Sequence, residues 1–568
     1  MSEKVGSYYH CGGLEPLIGM TIPEHFAEVV RRCGAREAIV SRHQQRRLTY
    51  RQLAAEVDDL ARGLLAMGYQ RGERIGVWAT NSIEWLLLQM ATARIGVALV
   101  AINPGYRQQE IAYAIQHSEV HGLFVMPAFR RSDYLAMLAA VLPPLQNPEQ
   151  DLKHADFPFL RQVVLFDPRS PATTPRLLPG LTLWQEVLTA GADVSPTALE
   201  AATAALDRDD TIALLYTSGS MGFPKTAVLS HHNILNNAWF TARRMAFTES
   251  DRLCAPVPFY HCFGMVLANL LCLAVGACLV VPEEYFDPLA TMGAIEAEGC
   301  TALYGVPTMF LAQLEHPQRG AFDLTSLRTG IMAGAPCPPI LMRRVMEEMP
   351  CPEILIGYGM TEASPVTHLT AAEDSLEVRL ETVGRNLPHQ EVKLIDPDSG
   401  VTVSVGTVGE VCFRGYHVAK GYYGDPEATA LGIDTDGWLH SGDLGIMDGD
   451  GYLRITGRRK EIIIRGGENI CPWQIEQQLL QHPKVAEVAV FGLPDEFYGE
   501  QIMAWVRLKS GERADAEELK AHCRSGLAHF KVPAQIWIVA EFPKTGSGKL
   551  HKPRMRELSL EWLAHKTK

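Results

Sequence analysis

Between residues 49 and 104 the chain reads TYRQLAAEVDDLARGLLAMG (49–68), RIGVWAT (74–80), SIEWLLLQMATARIG (82–96) and ALVAINP (98–104). The first and third stretches have the length and apolar spacing of helices; the second and fourth are short, largely apolar runs of strand length. Their alternation predicts βαβ units and a mostly parallel sheet. The same texture returns at TIALLYTSGS (211–220), CLVVPEEY (278–285), TALYGVP (301–307), LRTGIMAGAP (327–336) and EILIGYGMTE (353–362). Each of these strand-like runs ends in a loop bearing Gly or Pro, which is where open α/β sheets place their ligands.

On either side of that core the pattern changes. The segment from Pro143 to Pro179 is rich in Pro and polar residues and reads as a surface excursion. After about residue 380 short strands and turns take over, as in EVKLIDPDSG (391–400), GEVCFRG (409–415) and WLHSGDLGIMDGDGYLRITG (438–457), which predicts a small antiparallel subdomain. GRRKEIIIRGGENI (457–470) and then a helix starting at Pro472 open a compact α+β domain of about one hundred residues. The fold class expected is therefore α/β: a large N-terminal region of mostly parallel sheets with a small β subdomain, residues 1–458, and a mobile smaller α+β domain, residues 459–568.

The chain has 568 residues, and 52 Lys and Arg against 65 Asp and Glu leave a formal charge of −13. That length holds several cores, and the acidic balance disfavours a broad nucleic-acid surface, so nucleic acid is not expected as a partner. Twelve cysteines lie between Cys11 and Cys523, no two with the spacing of a zinc ribbon or redox pair, and they read as reduced thiols. The opening MSEKVGSYYHCGG has neither the apolar stretch of a secretory signal nor the Arg content of a transit peptide; a cytoplasmic address is expected. Cys262 to Pro282 carries no charge and approaches spanning length, but Gly264, Asn269 and Gly276 interrupt it. It reads as a buried helix followed by a buried strand rather than a membrane span.

The most informative loop is Tyr216-Thr-Ser-Gly-Ser-Met-Gly-Phe-Pro-Lys225, between the strand TIALLY and a helix starting near Ser230. Small residues let backbone N–H groups approach an anion, and Lys225 supplies the balancing charge. The loop suits phosphate but is not a Walker A motif, because Pro224 stands where Gly should precede the lysine; TGSGKL (545–550) fails similarly at Pro543.

YTSGSMGFPK (216–225), YGMTE (358–362), GWLHSGDLG (437–445), GRRKEIIIRGGENICPWQIE (457–476) and PKTGSGKL (543–550) together resemble the ordered core motifs of the adenylate-forming, or AMP-binding, superfamily. The likeness runs over residues 25–560 and is nearest to medium- and long-chain fatty acid–CoA ligases. It implies an acyl-CoA synthetase: ATP and a carboxylate give an acyl adenylate and pyrophosphate, then the coenzyme A thiol takes the acyl group and releases AMP. The resemblance brings ATP, Mg²⁺ and coenzyme A with it, together with a small-molecule carboxylic acid. A monomer or homodimer without a transmembrane segment is expected, peripheral membrane contact being allowed.

The resemblance also implies roles residue by residue. Lys549 would bridge the carboxylate and the α-phosphate, where a point charge meets developing negative charge. Thr361 would contact the α-phosphate and Glu362 would hold Mg²⁺, a hard cation that seeks oxygen. Asp443 would accept from the ribose hydroxyls and Arg458 would donate to ribose or phosphate; Tyr358, with Gly359 beside it, would stack on adenine. Thr217, Ser218, Gly219, Ser220, Gly222 and Lys225 would ring the phosphates. Lys460 matches the hinge of the C-terminal domain, and Gly466 and Gly467 would admit the pantetheine arm. His261 would form a pocket wall orienting the acyl group. Gly334 and Ala335 would border the nucleotide and line the acyl tunnel, and residues 304–308 would line the tunnel as well.

Ser220, Met221 and Thr226 depart from the superfamily's phosphate loop. Met221 removes a hydroxyl and Thr226 replaces a glycine with a β-branched residue, so a weakened hold on pyrophosphate is expected. A peptide-synthetase adenylation domain is disfavoured because residues 256–266 offer no carboxylate for a substrate amine. An aryl-CoA ligase or a luciferase-like oxygenase stays open, and a silent nucleotide sensor is opposed by the presence of Thr361, Glu362, Asp443 and Lys549.

Overall fold

Thr49 and Ser82 start the two helices of the opening stretch. Thr49 Oγ1 accepts from the Gln52 N–H at 3.3 Å while Gln52 Oε1 accepts from the Thr49 N–H at 2.9 Å, a reciprocal cap on the helix Tyr50–Ala66. Ser82 Oγ accepts from the Trp85 N–H and caps the helix Ile83–Arg94. This second helix is buried on all sides, packed among the helices Ile22–Cys33 and Tyr50–Ala66 and the strands Arg74–Trp78 and Ala98–Ile102. Its polar residues find partners: Gln89 donates to the Met265 carbonyl, and Glu84 pairs with Arg46 at 3.1 Å.

The computed structural model describes residues 6–147, 154–170, 175, 177–217, 224–465, 468–470, 472–495, 498–546 and 548–566. Four main sheets organise it. The first runs in the order Thr182–Leu183, Gln162–Leu165, Gly122–Val125, Arg74–Trp78, Ala98–Ile102, Thr211–Tyr216, Thr226–Ser230, parallel except for the last pair. The second has nine strands; its centre, from Cys278–Val281 through Arg252–Cys254, Ala302–Gly305 and Thr329–Ala333 to Glu353–Gly359, is parallel. The third is wholly antiparallel: Tyr8–Cys11, Gln390–Ile395, Gly409–Gly415, Leu439–Met447, Leu453–Arg458. The fourth is a separate, smaller sheet built from residues 463–538, with its own apolar cluster around Ile463, Leu479, Val490 and Ala504. Large parallel sheets, a small β subdomain and a smaller C-terminal α+β domain are the architecture expected from the sequence.

One reading changes and two gain detail. The apolar run Gln162–Leu165, expected within a surface excursion, is an inner strand of the first sheet with Val163, Val164 and Leu165 fully buried. The phosphate-loop segment does not pass straight into a helix: the strand Thr226–Ser230 intervenes, and the helix His231–Arg244 follows it, capped by Ser230. The apolar segment after Cys262 begins with wide π-type winding over Phe263–Leu270, becomes α-helical at Leu271–Val275 and returns as the strand Cys278–Val281, all buried. Among the described residues no helix is long and apolar enough to cross a membrane.

Three histidines, His231, His368 and His417, are fully buried. Desolvation pushes His231 down to about 4 and the other two down to about 3. Each therefore stays neutral in the fold while the unfolded chain takes up a proton below about pH 6.5. Stability contributed by a neutral buried histidine is complete above that pH and is lost as pH falls toward the depressed value. Replacing His417 by Phe should lower the slope of unfolding free energy against pH between 5.5 and 4 by about 1.4 kcal/mol per pH unit, read from urea melts at each pH.

Candidate active site

The first and second sheets direct the carboxyl ends of several strands toward one crevice. At the edge of the first sheet, Tyr216 pairs with Thr226, and the Thr217 N–H donates to the Lys225 carbonyl at 2.8 Å, closing the base of the phosphate-loop hairpin. Tyr216 is anchored from behind, its hydroxyl 2.6 Å from Ser118 Oγ and donating to the Ala114 carbonyl. Ser218, Gly219, Ser220, Met221 and Gly222 lie outside the described residues, as do Gly466 and Gly467. Thr226 is fully buried in extended strand, a conformation that suits a β-branched residue, so the backbone strain expected of it does not arise.

The second sheet supplies the next wall. The strand Glu353–Gly359 ends in a short turn, Thr361–Ala363, in which Thr361 and Glu362 are both buried. Gly359 permits that turn: a Cβ there would lie 1.9 Å from the Pro365 carbonyl oxygen. Glu362 Oε1 accepts from the Tyr422 hydroxyl at 2.7 Å, and its Oε2 has no protein partner among the described residues. Thr361 Oγ1 lies 3.5 Å from Cys262 Sγ. Cys262 is in turn 3.5 Å from His261 Nδ1, which accepts from the Phe263 N–H at 3.2 Å. Burial pushes the Cys262 thiol up to about 11, against the effects of Thr361 and Lys549, so it is a neutral wall group at ordinary pH.

Lys549 reaches this crevice from the C-terminal end of the chain. Its loop is closed by hydrogen bonds between Thr545 and Lys549 and is seated on the larger body by the Thr308 hydroxyl, which donates to the Gly548 carbonyl at 3.1 Å. Gly334, at φ +83° in the turn after Thr329–Ala333, accommodates the side chain: a Cβ there would lie 3.2 Å from Lys549 Cε and 3.4 Å from Val306 Cγ1. Ala335 follows in the same turn, its carbonyl 3.5 Å from Cys337 Sγ. Desolvation lowers the Lys549 pKa, and burial together with the Lys549 charge lowers that of His261. A cation held there with no carboxylate in ionic contact among the described residues favours an arriving anion.

The third sheet contributes the rim. Asp443 and Arg458 sit directly opposite each other on neighbouring antiparallel strands, and Arg458 Nε lies 2.8 Å from Asp443 Oδ1. The Tyr358 hydroxyl donates to Asp443 Oδ2 at 2.6 Å. Burial raises the Asp443 pKa while Arg458 opposes the rise. Arg459, Lys460 and Glu461 form a short exposed turn leading to the fourth sheet, with Arg459 facing Glu410 and Asp398.

The described site residues that sequence reasoning singled out thus occupy the walls, rim and approach of one region. Reading the sequence missed two members: Cys262, between His261 and Thr361, and Tyr422, between Glu362 and Lys225. Neither falls on a charged or Gly-rich signature; Tyr422 is one of two consecutive tyrosines and only the fold separates them.

A lysine, a buried hydroxyl and a buried carboxylate gathered beyond the ends of parallel strands, beside a phosphate-type loop, define a nucleotide-handling enzyme. The chain belongs to the AMP-binding enzyme family: the family profile matches residues 26–423, and that of the AMP-binding enzyme C-terminal domain matches residues 474–549. YngI of Bacillus subtilis (strain 168) is 44% identical over 527 residues, covering 93% of this chain and 94% of that protein. The mitochondrial medium-chain acyl-CoA ligase ACSF2 of Danio rerio is 40% identical over 554 residues, covering 97% and 90%. Among solved structures, ATP-bound MatB from Rhodopseudomonas palustris matches with a TM-score of 0.80 at 28% identity, covering 95% of this chain and 99% of that one. The anthranilate CoA ligase AuaEII in complex with anthranoyl-AMP matches at 0.82 and 25% identity, covering 96% and 98%.

Gly334→Ala places a methyl group against Lys549 in a backbone conformation that alanine resists. It should slow carboxylate-dependent ATP–pyrophosphate exchange about tenfold. A wild-type exchange rate in a folded variant would show that Lys549 does not need this seat.

Proposed function

We propose that this protein is an AMP-forming acyl-CoA ligase acting on medium-chain carboxylic acids, and that the site residues divide the work as follows. The observation that carries the reading is the seating of Lys549 on Gly334 beside the Thr361–Glu362 turn, which brings a cation from the C-terminal end of the chain to the nucleotide-side wall. Such a cation stabilises charge passing between a carboxylate and an α-phosphate and needs little rearrangement to do so. Thr361 donates its hydroxyl to the α-phosphate, and Lys225 with the phosphate-loop backbone holds the departing pyrophosphate. Asp443, flanked by Arg458 and Tyr358, receives the ribose hydroxyls. His261, kept neutral, and Cys262 form the apolar-side wall against which the acyl group lies.

Glu362 fits a Mg²⁺ ion: it is a buried carboxylate with one oxygen engaged by Tyr422 and the other without a protein partner among the described residues. Among the described residues no cluster of three His, Cys, Asp or Glu offers a complete cation cage, which suits an ion carried largely by phosphate oxygens. Glu362 would hold the ion, whose chemistry there is to neutralise phosphate charge.

The division of labour uses two lobes, residues 1–458 and 459–568, turning at Lys460 so that the lobe bearing Lys549 withdraws and coenzyme A reaches the acyl group. Medium-chain acids are favoured by the likeness to ACSF2. A cytoplasmic location is supported by the eleven described cysteines, all of them free thiols.

Lys549→Ala should lower pyrophosphate release from ATP, Mg²⁺ and octanoate by about 100-fold or more, while octanoyl-CoA formation from supplied octanoyl-AMP stays within about threefold of wild type. Equal losses in both half-reactions would contradict the assignment. Pyrophosphate release without any thioester across a series of alkanoates would replace the ligase by another adenylate-forming activity.

A further inference from the structure

Residues 419–423 lie along the phosphate-loop hairpin as a short extended segment paired through one β-bridge. The Lys420 N–H donates to the Val228 carbonyl, the Val228 N–H to the Gly421 carbonyl and the Tyr423 N–H to the Thr226 carbonyl, all within 3.0 Å. Ala227 and Tyr422 face each other as a β-bridge pair. The same segment is tied to the turn of the second sheet, because the Ala419 N–H donates to the Glu362 carbonyl at 2.8 Å. Alternation along this short segment separates two neighbouring tyrosines. Tyr423 turns to Glu119 at 2.6 Å, while the Tyr422 hydroxyl donates to Glu362 Oε1 at 2.7 Å. The Tyr422 ring meanwhile lies 4.8 Å from Lys225 Nζ, and its backbone N–H donates to Thr429 Oγ1 at 2.9 Å.

One side chain thus touches both charged groups that the proposed function assigns to the metal–triphosphate, and we propose that Tyr422 is a positioning residue for Mg²⁺–ATP. A free glutamate has three side-chain torsions to order before it can serve a cation, and a hydrogen bond to one oxygen holds the carboxylate while leaving the other available. The hydroxyl serves as a donor at ordinary pH, as a phenol does. The ring gives Lys225 a π face on which to rest near the phosphate loop without forming an ion pair that would neutralise it. The inference rests on reading Glu362 as the holder of Mg²⁺.

Tyr422→Phe removes the hydroxyl and keeps the ring; Tyr422→Leu removes both. Calorimetric ATP binding to the full-length protein should be measured with Mg²⁺ and again with EDTA, beside a Mg²⁺ titration of ATP–pyrophosphate exchange. For Tyr422→Phe the dissociation constant in EDTA should match wild type, the tightening caused by Mg²⁺ should shrink about tenfold, and the Mg²⁺ requirement should rise in proportion, with the KM for octanoate unchanged. Tyr422→Leu should weaken ATP binding in EDTA as well. Equal weakening of Tyr422→Phe with and without Mg²⁺, an unchanged Mg²⁺ requirement, or a lowered one would each overturn the proposal, the last by showing that the hydroxyl competes with the ion. Glu362→Gln separates the two layers. If it leaves the Mg²⁺ dependence intact, the Glu362 assignment and this proposal fall together; if it removes that dependence while Tyr422→Phe does not alter it, only the role of Tyr422 falls.

Discussion

The ammonium of Lys549 lies where a loop from the end of the chain meets the turn of Gly334, partly buried and with no carboxylate in ionic contact among the described residues. A desolvated cation of this kind is unfavourable alone and favourable once an anion arrives. Much of the site can be understood as support for that encounter. The Thr308 hydroxyl ties down the loop, the positive φ at Gly334 makes room for the side chain, and His261 and Cys262 stay neutral beside it.

Two kinds of sheet divide the remaining demands. Parallel strands end in turns that expose backbone and short side chains, as at Gly334 and Thr361–Glu362, and such ends suit phosphate chemistry. The antiparallel third sheet pairs residues across strands, which puts Arg458 opposite Asp443 and within reach of Tyr358. The Asp443 carboxylate is in this way buried with its neighbours already in hydrogen-bonding or ionic contact, which sets its orientation.

Fold class was legible because its signals are local. The alternation around residues 49–104 and the turn-rich stretch after residue 380 need no knowledge of distant contacts, and both correspond to elements of the kind expected. Where the reading failed, composition outweighed context: Gln162–Leu165 looked like part of a polar excursion because its flanks are polar, yet its apolar side chains complete the first sheet. Thr226 looked strained by comparison with a glycine-bearing loop, but strand pairing with Tyr216 gives it an extended backbone that β-branched residues favour.

Residue type and order alone determined the chemistry on offer: a phosphate-type loop, an acidic residue after a strand, a lysine in a Gly-Ser-Gly loop and an acidic strand residue, spread over more than three hundred positions. Such groups carry recognisable charge or conformational freedom wherever they stand. Only the tertiary structure decided that Tyr422, rather than Tyr423, meets Glu362, that Cys262 touches Thr361, and that Lys549 arrives at Gly334. The reason is that a strand sends successive side chains to opposite faces, and which face meets the site depends on the packing of segments far apart in the chain.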